Sequence, residues 1–349
     1  MNILIVKLSA IGDVIHTLPA LNAIRSHFPD AQITWLVEEN AASLVEDHEA
    51  LDRVLVSKRK RWMRGLRSSS FFSTISEIYR FIKALRDTYY DMILDFQALL
   101  KSGVLIALTR GQRKIGFGKG LEHMEHSYIF LNERIPAVNM EIHALSRGMM
   151  LLHAVGIPAN EVEYNLPVSN RDREKVNNLL RRYGMRDNKS FIAINPVAKW
   201  ETKLWANEKF AQLADRLIGA YDARIIFTGA FRDRQTIQDI MSFMKGRAVN
   251  LAGDTTLKML AALYERVYFV VSTDTGPMHM AAAVGTPVVA LFGPTAPWRT
   301  GPHGSDHQVI QAGLGCSPCF KRRCETMDCM KLISVEQVLD ATFLLFKKM

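Results

Sequence analysis

The sequence lacks any apolar stretch long enough to span a membrane. The longest candidate, residues 281–298, is interrupted by three prolines and two glycines, whereas a membrane helix needs ~20 consecutive apolar residues. A signal peptide is also missing, because only residues 3–6 are strongly apolar before Lys7 and no small-residue cleavage site follows. We therefore expect a cytoplasmic protein.

Acidic residues are fewer than basic residues. The 349 residues include 44 Lys and Arg against 35 Asp and Glu, a formal net charge of +9, so we expect an acidic partner. Part of the excess lies in one short segment around Trp62: Lys58, Arg59, Lys60, Arg61, Arg64 and Arg67. A solvated loop would also explain this segment, but the interleaved tryptophan favours attraction to an anionic membrane surface. No DNA- or RNA-binding motif accompanies it, so nucleic acid is not expected.

Cysteine is confined to one stretch. The four residues follow a Cys-x2-Cys-x4-Cys-x4-Cys spacing: Cys316, Cys319, Cys324 and Cys329. Such a series can hold a structural metal or form an oxidised pair, although cytoplasmic thiols are usually reduced. We expect a reduced, partly buried cluster beneath the C-terminal loop, with a structural metal as the alternative.

Two motifs are absent. The first apolar strand ends in Lys-Leu-Ser-Ala-Ile-Gly-Asp at residues 7–13 rather than Gly-x-Gly-x-x-Gly, which argues against a nicotinamide-dependent dehydrogenase. An Asp-x-Asp metal-binding motif is missing as well.

Short apolar runs alternate with amphipathic segments along the whole chain. This order predicts strands at 2–7, 32–37, 52–56, 92–95, 191–195, 224–228, 248–251, 267–271 and 288–292. Strand–helix alternation predicts parallel sheets covered on both faces, and this length favours two domains. Residues 163–170 are the best linker, so we expect domains at 1–167 and 168–349. The last helix, 335–346, has an apolar face that could dock on the first domain.

Residues 272–293 form the most informative segment. A buried strand leads into Asp274, which can cap the next helix, then Gly276, which admits a ligand, and Pro277, which suits the first helical turn. The helix start would offer amides and a positive dipole end to a nucleotide phosphate. An ordinary strand–turn–helix unit is the alternative.

Asp13 follows a glycine at the carboxyl end of the first strand, where a helix is predicted to begin. The helix dipole favours an ionised carboxylate there, and an ionised carboxylate can accept a proton from an attacking hydroxyl. A plain helix-terminal aspartate is the alternative.

Residues 6–21 read Val-Lys-Leu-Ser-Ala-Ile-Gly-Asp-Val-Ile-His-Thr-Leu-Pro-Ala-Leu. This opening resembles that of the bacterial heptosyltransferases of glycosyltransferase family 9, and most of all their type I members. Further similar segments follow in the family's order: Trp-Leu-Val-Glu-Glu at 35–39, Lys-Arg-Trp at 60–62, Asp-Phe-Gln-Ala-Leu-Leu-Lys-Ser at 95–102, Lys-Leu-Trp at 203–205, Thr-Asp-Thr-Gly-Pro-Met-His at 273–279 and Phe-Gly-Pro-Thr at 292–295.

The resemblance implies an α/β GT-B fold, in which two Rossmann-like doubly wound domains face a central cleft. It implies inverting transfer of heptose from ADP-heptose to the Kdo region of the lipopolysaccharide inner core on Kdo–lipid A. It also implies a cytoplasmic enzyme that is peripheral on the inner membrane and requires no cofactor.

The resemblance assigns the donor side as follows. Lys203 matches the lysine that offsets charge on the departing diphosphate. The phosphate and ribose turn is matched by Asp274, Thr275 and Gly276, with His279 one helical turn further on. Asp233 stands where the family has a glutamate that contacts the nucleoside, and Thr255 aligns with a residue near the adenine.

On the acceptor side, Asp13 matches the family's general base. Lys60, Arg61 and Arg64 suit the carboxylates and phosphates of a Kdo–lipid A core, and Gln97 and Lys101 can join them.

Two departures from the family pattern leave alternatives open. Asp233 is shorter than the family glutamate, and residues 195–200 lack the threonine pair of close type I relatives. Another family 9 enzyme with a different donor or acceptor therefore stays possible. A sugar-nucleotide epimerase and a basic lipid- or nucleic-acid-binding protein are the remaining alternatives.

Overall fold

The computed structural model describes residues 1–121, 125–185 and 191–346, without the side chain of Phe346. The chain divides into two compact units, Met1–Pro167 and Val168–Met349. Each unit is built on one six-stranded sheet.

The first sheet is parallel and has the order β3-β2-β1-β4-β5-β6. Its strands are β1 (Asn2–Val6), β2 (Gln32–Glu38), β3 (Arg53–Ser57), β4 (Tyr89–Asp95), β5 (Arg110–Phe117) and β6 (Glu133–Ile135). The α-helices of this unit are α1 (Ile11–Ile15), α2 (Leu18–His27), α3 (Arg59–Gly65), α4 (Phe71–Arg86), α5 (Leu100–Leu108) and α6 (Ala144–Ala154).

The second sheet is also parallel, with the order β12-β11-β10-β7-β8-β9. Its strands are β7 (Phe191–Asn195), β8 (Arg224–Phe227), β9 (Ala248–Asn250), β10 (Val270–Thr273), β11 (Val288–Leu291) and β12 (His307–Ile310). The α-helices are α7 (Asn170–Arg182), α8 (Asn207–Tyr221), α9 (Arg234–Ser242), α10 (Leu257–Tyr264), α11 (Gly276–Ala283), α12 (Pro297–Thr300), α13 (Asp328–Lys331) and α14 (Val335–Phe346).

Both sheets follow the Rossmann-type order 3-2-1-4-5-6 when the strands of each unit are numbered separately. The central strands are mostly apolar, as expected where helices cover both faces of a sheet; residues 3–6 of β1 and 192–194 of β7 are fully buried. The order in which successive strands are added to the sheet reverses between β1 and β4 and between β7 and β10. Loops that leave these strands therefore form a crevice at the carboxyl edge of each sheet.

Three predictions about individual elements need correction. The amphipathic pattern predicts one helix over Asp13–His27. The structure has two helices there, α1 and α2, separated at His16 and Thr17. Strands β5, β6 and β12 were not predicted. The last helix, α14, packs against α8, β11 and β12 of its own unit, and the buried indole of Trp205 donates to Ile333 O just before it (3.0 Å).

Candidate active site

Asp13 lies on α1, four residues after Ser9, which is in the loop between β1 and α1. Its Oδ2 accepts a hydrogen bond from the Ala10 N–H (2.8 Å), which closes the first turn of the helix. The side chain is half-buried, so the other carboxylate oxygen can face a ligand. The local fold thus fixes the carboxylate at the carboxyl edge of the first sheet.

The loop that carries Asp13 is braced by Gln97, which follows β4. The Gln97 Oε1 accepts from the N–H groups of Leu8 (2.8 Å) and Ser9 (2.9 Å). Asp95, buried at the end of β4, accepts from the N–H groups of Gln97 (3.0 Å) and Ala98 (3.1 Å). Burial raises the pKa of Asp95 to about 6. The oxygen of Gln97 therefore orders the loop that precedes Asp13, and the acceptor contact of Gln97 stays a prediction.

A cavity of about 230 Å³ opens beside Asp13 and Gln97. Lys7, His16 and Arg147 also line it, and sequence reasoning gave none of these three a role. Burial lowers the pKa of Lys7, although the negative charge of Asp13 opposes the shift. Lys7 and His16 could have been found, because both stand in the opening segment that resembles the family; Arg147 had no such signal.

Lys101 is held at the same edge of the sheet by Glu38. The Lys101 ammonium donates to Glu38 Oε1 (3.1 Å) and to the Ser9 hydroxyl, and Arg59 of α3 reaches the same carboxylate oxygen (3.5 Å). Glu38, which is buried, therefore ties the basic helix α3 to the loops around Asp13.

The acceptor candidates Lys60, Arg61 and Arg64 lie exposed on α3. Arg61 pairs with Glu77 of α4 (3.1 Å). Trp62, which the sequence suggested for a membrane surface, is instead buried: its indole donates to Glu77 (3.1 Å) and its ring packs on Phe81 at 5.0 Å. Trp62 is therefore part of the protein interior and not of a membrane-contacting surface.

Helix α4 carries two strongly exposed aromatic residues. Phe72 is 85% exposed and Tyr79 68% exposed, with Ile75 at 45% between them on the same helix face. The sequence predicts a polar helix over Ser73–Thr88, whereas α4 exposes this apolar face. The i, i+3, i+7 spacing of these residues could have revealed the stripe, but the pattern cannot tell whether such a face is covered.

In the second unit, Lys203 and Asp274 form an ion pair. The Lys203 ammonium contacts Asp274 Oδ2 (2.6 Å) and its backbone oxygen (3.2 Å), and the Thr295 hydroxyl donates to the same Oδ2 (2.6 Å). Both charged side chains are largely buried, at 15% and 6% exposure. The ammonium also lies 4.6 Å from the centre of the Trp200 ring, a favourable cation–π distance.

Helix α11 begins at Gly276, and its N-cap is Thr275 rather than Asp274. The predicted capping by Asp274 is therefore wrong: its carboxylate is bonded to Lys203 and Thr295. Pro277 occupies the first turn as predicted, and His279 is buried one turn later. The amino end of α11 thus stands directly beside the Lys203–Asp274 pair.

Asp233 and Thr255 follow β8 and β9. The Asp233 Oδ2 accepts from the Ala230 N–H (2.8 Å), and Thr255 lies half-buried in the turn before α10. Strands β10, β7, β8 and β9 are consecutive neighbours in the sheet. All the predicted donor residues therefore lie along one carboxyl edge.

The four cysteines are free thiols; Cys316 and Cys324 are exposed, and Cys319 and Cys329 are half-buried. Within residues 1–121, 125–185 and 191–346, no group of three or more His, Cys, Asp or Glu side chains is arranged to hold a metal ion. No helix in that part of the chain has the length and apolarity needed to cross a membrane.

Comparison with known proteins identifies the family. The profile of glycosyltransferase family 9 (heptosyltransferase) matches residues 78–330. Lipopolysaccharide heptosyltransferase 1 of Pseudomonas aeruginosa is 30% identical over 340 residues, 93% of this chain and 87% of that protein. Lipopolysaccharide core heptosyltransferase OpsX of Haemophilus influenzae is 27% identical over 308 residues, 88% of this chain and 83% of that protein.

Among solved structures, the E. coli heptosyltransferase WaaC with ADP superposes with a TM-score of 0.79 at 24% identity, over 99% of this chain and 100% of that one. The family 9 glycosyltransferase of Veillonella parvula gives a TM-score of 0.82 at 22% identity, over 100% and 97%. These likenesses confirm the predicted two-domain α/β GT-B fold. The chain belongs to glycosyltransferase family 9, the heptosyltransferases.

Proposed function

We propose that this glycosyltransferase moves heptose from ADP-heptose to the Kdo region of Kdo–lipid A with inversion at the anomeric carbon, as a type I enzyme. The observation that carries the proposal is the Lys203–Asp274 pair beside the amino end of α11, at the carboxyl edge of the second sheet. The 30% identical Pseudomonas aeruginosa relative, named lipopolysaccharide heptosyltransferase 1, supports the donor and acceptor classes.

On the donor side, the diphosphate of ADP-heptose lies against the amino end of α11. The first turn of that helix has N–H groups without intrahelical partners and the positive end of the helix dipole, both of which favour an anion. Lys203 adds a positive charge where negative charge develops on the leaving ADP, which stabilises the transition state. Asp233 and Thr255, in the connections that follow the neighbouring strands β8 and β9, contact the nucleoside.

On the acceptor side, Asp13 takes the proton from the attacking hydroxyl. The acceptor oxygen forms a bond to the anomeric carbon while the bond from that carbon to the β-phosphate oxygen breaks, and ADP leaves with the bonding electrons. Attack on the face opposite ADP inverts the configuration in one step, without a sugar–enzyme bond.

The basic residues of α3 bind the anionic acceptor. Changing Lys60, Arg61 and Arg64 together to alanine should raise the acceptor KM about 10- to 100-fold and leave kcat within about threefold, because charges that bind ground and transition states equally act on KM. Steady-state kinetics with Kdo–lipid A measures both. The control removes three exposed cations of the second unit, Arg181, Lys245 and Arg247; an unchanged acceptor KM in the α3 variant would refute the role.

We also propose that the enzyme works on the cytoplasmic face of the inner membrane, held there peripherally. The cations of α3 precede the exposed Phe72, Ile75 and Tyr79 of α4 in the same unit, and an anionic bilayer matches this combination of charge and apolar surface.

A double change of Phe72 and Tyr79 to serine tests this contact. Binding to vesicles that contain anionic lipid should weaken about tenfold, because two exposed aromatic anchors are lost. Turnover of a deacylated, soluble acceptor should not change. Phe243→Ser is the matched control, since Phe243 is 52% exposed in the second unit. Native-like vesicle binding by the double variant would exclude α4 as the anchor.

The reaction itself is tested with purified ADP-heptose and Kdo–lipid A. ADP should be released only when both are present, and the product should gain one heptose by mass spectrometry. Consumption of ADP-heptose without an acceptor would instead indicate an epimerase. Faster transfer from a different nucleotide sugar, or to a different core acceptor, would move the chain to another activity within the family.

A further inference from the structure

The segment that carries most of the cysteines contains an arginine that neither proposed subsite uses. We define the cysteine loop as residues 311–327, between β12 and α13. It contains three consecutive exposed cations, Lys321, Arg322 and Arg323. The family resemblance assigns no role to this loop.

One anchor fastens the cysteine loop next to the Lys203–Asp274 pair. The N–H groups of Cys319 and Phe320 both donate to Pro294 O, at 3.0 and 2.8 Å. The next residue in the chain, Thr295, donates its hydroxyl to Asp274. The loop is therefore held one residue away from a side chain that contacts the pair directly.

The space beneath this anchor is tightly packed. A Cβ atom added to Gly293 would lie 2.6 Å from Met330 Sδ and 3.2 Å from Cys329 Sγ. The absence of a side chain at Gly293 therefore admits the side chains of Met330 and Cys329 from α13, the helix that follows the cysteine loop.

A second anchor holds the next residue of the loop, Lys321. The buried Thr202 hydroxyl donates to Lys321 O (2.8 Å), and Thr202 directly precedes Lys203. With residues 319–321 held by these two anchors, the Arg322 guanidinium carbon lies 5.0 Å from the centre of the Trp200 ring.

Trp200 is thus shared by two cations. Lys203 lies at 4.6 Å and Arg322 at 5.0 Å from the same ring, so the two charges are separated by no more than about one Debye length, ~10 Å at 0.1 M salt. An anion bound beside Trp200 is within the field of both.

The positive charge of Lys203 does not by itself balance the negative charge of a bound diphosphate. Its ammonium is already paired with Asp274, so the pair carries no net charge, whereas a diphosphate leaving group is multiply negative. Arginine is suited to the remaining charge because its planar fork donates two parallel hydrogen bonds to phosphate oxygens.

We propose that Arg322 is a further donor-binding residue. The cysteine loop places it beside Trp200, where it contacts the diphosphate of the nucleotide sugar. The inference rests on the proposed function, because it presumes that an ADP-sugar binds at the Lys203–Asp274 pair. It adds a ligand contact from a part of the chain outside the family motifs.

Calorimetry with ADP and with adenosine tests this role. Arg322→Ala should raise the Kd for ADP about tenfold, since a charge-assisted hydrogen bond to phosphate is lost, and leave the Kd for adenosine within about twofold. Arg323→Ala, the neighbouring exposed cation, is the matched control and should change neither. The donor KM should rise in parallel in Arg322→Ala.

A charge series guards against an indirect effect on the loop. ADP affinity should fall in the order native, Arg322→Lys, Arg322→Ala, Arg322→Glu, while adenosine affinity stays constant. An ADP Kd within twofold of native in Arg322→Ala, or an equal loss for ADP and adenosine, would overturn the inference. If the native chain does not bind ADP, the proposed function fails instead.

Discussion

Asp13→Asn is expected to lower kcat for heptose transfer by about 10²- to 10⁴-fold, the range that a positioned general base contributes. The amide cannot take the proton from the acceptor hydroxyl. Its oxygen can still accept from the Ala10 N–H, the bond that Asp13 makes at 2.8 Å, so the first turn of α1 should stay intact. Quenched-flow or steady-state measurement of ADP release gives the rate.

The supporting measurements separate chemistry from folding. The Kd for ADP should stay within about twofold of native, because the proposed nucleotide residues belong to the second unit. Near-native turnover by Asp13→Asn would refute the general-base assignment.

Lys203→Met is expected to have two separate effects. Loss of the cation at the leaving diphosphate should lower kcat/KM for the donor by about 10²- to 10³-fold. The free energy of unfolding should fall by about 3 kcal/mol, because Asp274, at 6% exposure, is left as a buried carboxylate without a cation. Kinetics and denaturant unfolding measure the two effects.

A second change distinguishes them. Adding Asp274→Asn to Lys203→Met removes the unpaired charge, so stability should recover while transfer stays low. Lys209→Met is the matched control: this lysine also lies near a tryptophan ring, but it donates to the backbone oxygens of Lys331 and Ile333 and not to a buried carboxylate among the described residues. Recovery of transfer in the double variant would show that Lys203 acts only on folding.

The architecture was largely readable from the sequence because central parallel strands are continuous apolar runs. The strands that escaped prediction are those that break this rule. β5 carries Arg110, Arg113 and Lys114, so it lacks the continuous apolar run of a central strand; Arg113 pairs with Glu133 on the neighbouring strand β6 (2.7 Å). β6 has three residues, and β12 is an edge strand whose residues are partly exposed.

The sequence predicted which residues form the site, but not how these residues contact one another. Motif similarity marked Lys203 and Asp274, and strand order brings them to one edge, but their direct pairing depends on the 3₁₀ turn at Glu201–Lys203 and was not foreseeable. Composition likewise favoured Trp62 as the surface aromatic, whereas tertiary packing buries it and leaves Phe72 exposed. Periodicity shows that a face is apolar; only the neighbouring elements decide whether it is covered.

The brace that Gln97 makes on Leu8 and Ser9 has a kinetic consequence. Asp13, the proposed general base, follows this loop and is preorganised when the first sheet folds, so the entropy of ordering it is lost before any sugar binds. A truncated acceptor that retains the reacting hydroxyl should then saturate poorly yet react at close to the full rate once bound.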